Sequence, residues 1–108
     1  MTDLEKSTFQ NKPCYRYIRE SDKLPTYDQL TSSPVAKVKL FNPTGSGTWY
    51  IAAYDPETRV AYGVADLGYD PEAGDLYMPE LVEFRGRFGL PLERDLYWTP
   101  TPLKNLTQ

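Results

Sequence analysis

Residues 48–66, TWYIAAYDPETRVAYGVAD, constrain the fold more than any other stretch: two β-rich runs meet at a turn and make a hairpin. Successive side chains of a strand point to opposite faces, so Trp49, Ile51 and Ala53 fall on one side and Tyr50, Ala52 and Tyr54 on the other. Neither side is polar. A strand apolar on both faces belongs at the centre of a sheet, with a helix or a terminal segment over its second face. The return run sets Val60, Tyr62, Val64 and Asp66 against Ala61, Gly63 and Ala65, residues small enough to let another segment come close. Between the runs, Asp55-Pro56-Glu57-Thr58 has type I turn chemistry, an Asp that bonds its own backbone followed by a Pro with φ already fixed. The runs therefore pair antiparallel.

A chain of 108 residues is expected to form one domain that folds without metal or disulfide staples. Nine Tyr and ten Pro favour strands, turns and irregular connections over long helices, which argues against a helical bundle. Cys14 stands alone, so no internal disulfide can form, and a free thiol suits a reducing cytoplasm. The opening MTDLEKSTFQNK has no apolar core of a signal peptide, and no apolar run is long enough to cross a bilayer. The expectation is a cytoplasmic protein with no membrane partner.

The net charge of -3 is unevenly spread. Residues 1–47 carry seven basic and five acidic groups, residues 48–83 one basic and eight acidic, and residues 84–108 four basic and two acidic. The middle, at -7, repels phosphate, and there is no basic stripe, so no nucleic-acid partner is expected. Asp66, Asp70, Glu72, Asp75, Glu80 and Glu83 follow the hairpin and serve either as a solvated rim, the favoured reading, or as a surface that imitates nucleic acid or meets a basic partner.

Taken in order, residues 1–23 mix charges with scattered aromatics and read as a partly flexible arm. Residues 24–103 form the domain and 104–108 a tail. Pro25 to Leu30 can make one helical turn. Val35 to Phe41 alternates, with Ala36, Val38 and Leu40 inward and Lys37 and Lys39 outward, as in an edge strand. Asn42 to Gly47 is a hairpin loop and lacks the spacing of a phosphate-binding loop. A turn over Asp70–Gly74 leads to a short strand, Asp75-Leu76-Tyr77. A short helix from Pro79 to Gly86 follows, placing Leu81 and Phe84 on the sheet. The chain then wraps back irregularly into a strand at Leu96-Tyr97-Trp98. The fold class is α+β: a twisted antiparallel sheet of four or five strands with one short helix on a face.

Three pieces, TWYIAAYD, the helix closing on Arg85-Gly86, and GLPLERDLYWTP, together resemble a bacterial family known as domain of unknown function 2958. The resemblance covers residues 24–103, with Gly89 to Tyr97 its most specific part. Met78-Pro79 and Val60-Ala61-Tyr62 depart from the family pattern, both as structural variations. The resemblance implies a setting on plasmids and other mobile elements and carries over no catalytic residue.

Histidine is absent, which removes serine and cysteine triads, the HExxH zinc site and the commonest base at neutral pH. The acids from Asp66 to Asp75 do not follow the EF-hand spacing, so no metal and no cofactor is expected. Arg85, Arg87, Glu93, Arg94 and Asp95 form the densest charged cluster. There Arg94 either forks onto a ligand or pins the wrap by pairing with Glu80 or Glu83. The leading expectation is a non-enzymatic protein-interaction module of a mobile element, an inhibitor of a host defence complex. Its candidate binding residues are Trp49, Tyr50, Asp70, Glu72, Arg85, Arg94 and Asp95. The alternative is a small metal- or ligand-dependent hydrolase that uses the acids of 66–75 or the Arg85/Arg94 cluster.

Overall fold

In a computed structural model, which describes residues 2–107, the chain lays down β1 (Asp3–Lys6), β2 (Arg16–Arg19), β3 (Val35–Ala36), β4 (Val38–Phe41), β5 (Thr48–Asp55), β6 (Val60–Asp66) and β7 (Glu72–Tyr77). The helix α1 (Met78–Glu83), β8 (Glu93–Arg94) and β9 (Thr101–Pro102) complete it. The principal sheet is antiparallel with order β7-β6-β5-β4-β8, which puts the TWYIAAYD strand at its centre. Two-stranded pairs, β1 with β2 and β3 with β9, flank it. The architecture is α+β and mostly sheet.

The hairpin turn forms as its residues dictate. Asp55 Oδ1 accepts the Glu57 N–H at 2.9 Å, and the Asp55 carbonyl accepts the Arg59 N–H at 2.8 Å. Arg59 closes the loop at φ 61°, in the left-handed region.

Both faces of β5 are covered, and a bulge decides which residue goes where. The β5–β6 register is regular from Thr48 opposite Asp66 to Ile51 opposite Gly63, then slips, so that Ala53 lies opposite Tyr62. The extra residue, Ala52, reverses the alternation beyond it. Trp49, Ile51 and Tyr54 consequently share the first core, whereas Tyr50 and Ala52 lie on the second. The sequence pattern sorted Tyr54 with Tyr50, and the bulge corrects it. Gly63 faces the bulge: a Cβ there would stand 1.7 Å from the Tyr50 carbonyl oxygen.

The first core is sealed by α1, through Met78 and Leu81, and by the N-terminal strand pair, through Tyr17 and Ile18. Tyr17 and Ile18 are fully buried, so residues 1–23 are not an arm outside a domain that begins at Leu24; β2 supplies part of the main core. The arm reading fails because a strand of four residues, RYIR, is too short to show a period. The second core is sealed by a terminal segment: Trp98, Leu103 and Leu106 pack on Ala36, Ala52 and Val64. The Trp98 indole N–H donates to the Ala36 carbonyl at 3.0 Å. Residues 104–108, expected as a tail, therefore contribute Leu106 to packing. Among the described residues the helical elements other than α1 are short turns of 3-10 helix, one of them Tyr27–Gln29, where a helical turn was expected.

Candidate functional site

The segment that defines the resemblance, Gly89 to Tyr97, leaves the helix, buries Pro91 and Leu92, and turns outward. Tyr17 donates its hydroxyl to the Leu92 carbonyl at 2.6 Å, and burial pushes that hydroxyl up to about 12. Glu93 and Arg94 then pair with Phe41 and Leu40 as β8. A strand was expected at Leu96-Tyr97-Trp98; the structure has a turn at Leu96-Tyr97 and the strand pairing at Glu93–Arg94 instead. Asp95 is the reason. Its N–H donates to the Lys39 carbonyl at 2.9 Å, and its Oδ1 accepts the Tyr97 N–H at 2.9 Å, which bends the chain away from the sheet.

Both flanks of this turn are fixed. On one side Arg94 donates from both terminal nitrogens to Asp22, each at 2.7 Å, and also to the Tyr17 carbonyl at 3.3 Å. Burial raises the Asp22 carboxyl, but the hydrogen bonds from Arg94 and from the Arg19 N–H outweigh it, and the group ends below its ordinary value. On the other side Trp98 packs against Tyr50 at 5.3 Å between ring centres, with the Lys39 ammonium 5.3 Å above the indole. Lys39 also meets Asp95 at 3.6 Å. Between these anchors Tyr97 is 94 % exposed and Leu96 50 %. A groove of about 400 Å³, lined by Cys14, Lys39, Phe41 and residues 93–97, lies beside them. The Cys14 thiol is raised by burial and by the Glu93 carboxylate, the opposite of the shift that activates a nucleophilic cysteine.

The expected site residues separate. Trp49 is core, and Tyr50 is held under Trp98, so neither is a free anchor. Asp70 is exposed in the β6–β7 turn and Glu72 is exposed at the start of β7, which begins within the stretch 70–74 expected as a turn. Arg85 donates to the Val82 and Phe84 carbonyls and stacks over Phe9, away from any partner shared with Arg94. Arg94 pairs with Asp22, not with Glu80 or Glu83, and so pins the wrap to the N-terminal segment instead of the helix. Arg94 and Asp95 come together as supports of the turn, with Tyr50 beneath Trp98 on its other flank, whereas Trp49, Asp70, Glu72 and Arg85 lie elsewhere. Of the acids from Asp66 to Asp75, Asp75 lines a groove of about 440 Å³ together with Asp28, Asp55, Tyr27 and Tyr62. Among the described residues no group of three or more His, Cys, Asp or Glu is placed to hold a metal ion. No helix among them is long and apolar enough to cross a membrane.

A family model described as protein of unknown function, DUF2958, matches residues 14–107. The chain belongs to the DUF2958 family. The match takes in Asp22, Arg94 and the whole Leu96–Tyr97 turn, and extends beyond the 24–103 span of the resemblance at both ends. No curated protein and no solved structure matches the chain.

Sequence reading missed a second charged cluster, of which Glu5 lies outside the DUF2958 match. Glu5 on β1 is buried, and its carboxylate accepts from Arg59 Nε at 2.9 Å, from Arg59 Nη2 at 2.8 Å and from the Tyr54 hydroxyl. The bonds to Glu5 hold Arg59 more firmly protonated than usual; burial, then Glu5, raises Tyr54. With its oxygens so occupied, Glu5 acts as a clamp between β1 and the hairpin. No local sequence signal could have joined residues this far apart in the chain.

Proposed function

We propose that this DUF2958 protein is a non-enzymatic interaction module that docks on a partner protein through Leu96 and Tyr97. One observation carries the reading: an almost fully exposed Tyr, next to a half-exposed Leu, stands on a turn whose flanks are locked by ion pairs and a Trp. A rigid aromatic anchor loses little conformational freedom on binding, and Tyr is enriched where interfaces concentrate their energy. The Tyr97 side chain gives the fold almost nothing, since it touches solvent nearly all round.

The family resemblance suggests where the partner belongs. In a mobile element's product the natural target is a host protein, and inhibition of a host defence complex in the cytoplasm is the role we assign to the contact. The lone Cys14 thiol supports a reducing compartment. A photo-crosslinking amino acid placed at Tyr97 in the full chain tests the reading in host lysate. A single stoichiometric adduct, lost when the crosslinker is moved to exposed Lys104 on the C-terminal segment, is expected. Diffuse labelling equal at the two positions would refute it.

A further inference from the structure

The principal sheet ends differently at its two edges. At one, β8 lies against the Pro13–Tyr15 turn and is covered. At the other, β7 pairs only with β6, and among the described residues no hydrogen bond engages the outer backbone of residues 72–77. Glu72, Ala73, Asp75 and Tyr77 are exposed, Leu76 is the one buried residue of the strand, and a Cβ built on Gly74 would meet nothing within 4 Å.

A regular strand in this state is a template for another. Proteins blunt such edges with proline, a bulge or lysine; β7 has no proline or lysine, and its register with β6 runs without a slip. What it carries is negative charge. From Val60 to Glu83 the chain has six acids and no lysine or arginine, and Glu72 and Asp75 stand on the strand itself. Two copies pairing edge to edge about a two-fold axis would bring Asp75 close to its counterpart and set the acid-rich turns together, which destabilises a sheet. The same charge attracts a strand bearing lysine or arginine.

We propose that β7 is a strand-addition site for an extended basic segment of a partner protein. Backbone hydrogen bonds would supply affinity, and Glu72 and Asp75 would select the charge. This edge is separate from the Leu96–Tyr97 turn, and neither surface needs the other.

The test uses the full chain and a short fluorescent peptide alternating lysine with valine. Two controls accompany it: the same peptide N-methylated along its backbone, and one alternating glutamate with valine. The lysine peptide should bind and slow amide hydrogen exchange within residues 72–77. Both controls should bind at least about tenfold more weakly. The variant Glu72→Lys with Asp75→Lys, checked for folding by circular dichroism, should prefer the glutamate peptide; if it does not fold, the N-methylated peptide decides on the native chain. Equal binding of the N-methylated peptide would reduce the effect to charge adsorption and overturn strand addition. So would no binding of the lysine peptide, or protection outside β7. A dimer of the native chain protected at β7 would make a second copy the occupant and overturn the basic partner.

Discussion

Arg94 and Asp22 are joined by two hydrogen bonds of 2.7 Å, one from each terminal guanidinium nitrogen to its own carboxylate oxygen. The fork ties β8 to the N-terminal segment, and both side chains are largely buried. Removing one partner leaves the other's charge poorly solvated, so Arg94→Met should cost about 3 kcal/mol and Asp22→Asn about 2 kcal/mol in urea unfolding. Arg94→Lys keeps the charge but loses the fork and should fall between native and Arg94→Met. Because the folded Asp22 carboxyl lies below its ordinary value of 3.8, its contribution is complete above that value and is lost as pH falls through the lower folded one. The native chain should therefore lose stability more steeply than Asp22→Asn under acid.

At the alkaline end the sign reverses. Tyr17, raised by burial to about 12, favours the folded state fully below its unfolded value of 10.0 and loses that contribution as pH rises toward 12. Phenolate absorbance followed against pH should show late-titrating tyrosines whose ionisation coincides with unfolding. Tyr17→Phe cannot ionise and should move alkaline unfolding to higher pH, at a cost near neutrality of about 1 kcal/mol for the bond lost to the Leu92 carbonyl.

The central hairpin was legible because its signals are local: an apolar strand, a turn of Asp and Pro, an alternating return. The strand at Asp75-Leu76-Tyr77, the short helix after it and the burial of Ala36, Val38 and Leu40 follow from the same short-range rules. Val35 to Phe41, expected as one edge strand, is instead broken at Lys37: Ala36 of β3 enters the second core, Val38 and Leu40 of β4 enter the first, and β4 gains β8 as a second neighbour. What escaped depends on distance or on one residue of register. Ala52 looks like any strand residue, yet as a bulge it sends Tyr54 to the opposite face. Arg94 finds Asp22 and Arg59 finds Glu5 across half the chain or more. Leu96-Tyr97-Trp98 has strand composition, but Asp95 captures the Tyr97 amide first.

Glu5 and Arg59 bond in the same forked manner, but unequally buried: the Glu5 side chain is almost inaccessible, whereas Arg59 is nearly half exposed. The two halves of the pair should therefore respond differently to removal. Arg59→Gln strands a buried carboxylate and should cost about 3 kcal/mol. Glu5→Gln leaves a cation that can turn to water and should cost about 1–2 kcal/mol. Guanidinium unfolding of the two variants, with Tyr54→Phe as a further reference, measures the asymmetry; equal losses would mean the clamp is not set by burial.

Gly63 and Gly74 face each other across β6 and β7, and only one of them is required. An alanine at 63 would drive its Cβ into the Tyr50 carbonyl and forces the bulge to move. Gly63→Ala should destabilise by more than about 3 kcal/mol or leave the chain unfolded. Gly74→Ala meets open space and should change stability by less than about 1 kcal/mol. Thermal unfolding of the two variants side by side checks both the bulge and the exposure of the β7 edge.

Tyr97 offers the sharpest separation of stability from recognition. Its ring is exposed on almost every side, while its amide is fixed by Asp95, so Tyr97→Ala removes the ring and keeps the turn. Unfolding free energy should change by no more than about 0.5 kcal/mol. Capture of a partner should fall by about 2 kcal/mol or more, roughly a thirtyfold loss of affinity, as for a central aromatic anchor. Asp95→Ala makes the complementary perturbation: the ring stays, but the amide bond and the contact with Lys39 are lost, so the turn loosens. Affinity should then fall through slower or less frequent productive docking, with both variants still folded by circular dichroism. If Tyr97→Ala leaves partner capture intact while Asp95→Ala abolishes it, the turn matters as architecture and the aromatic ring is not the contact.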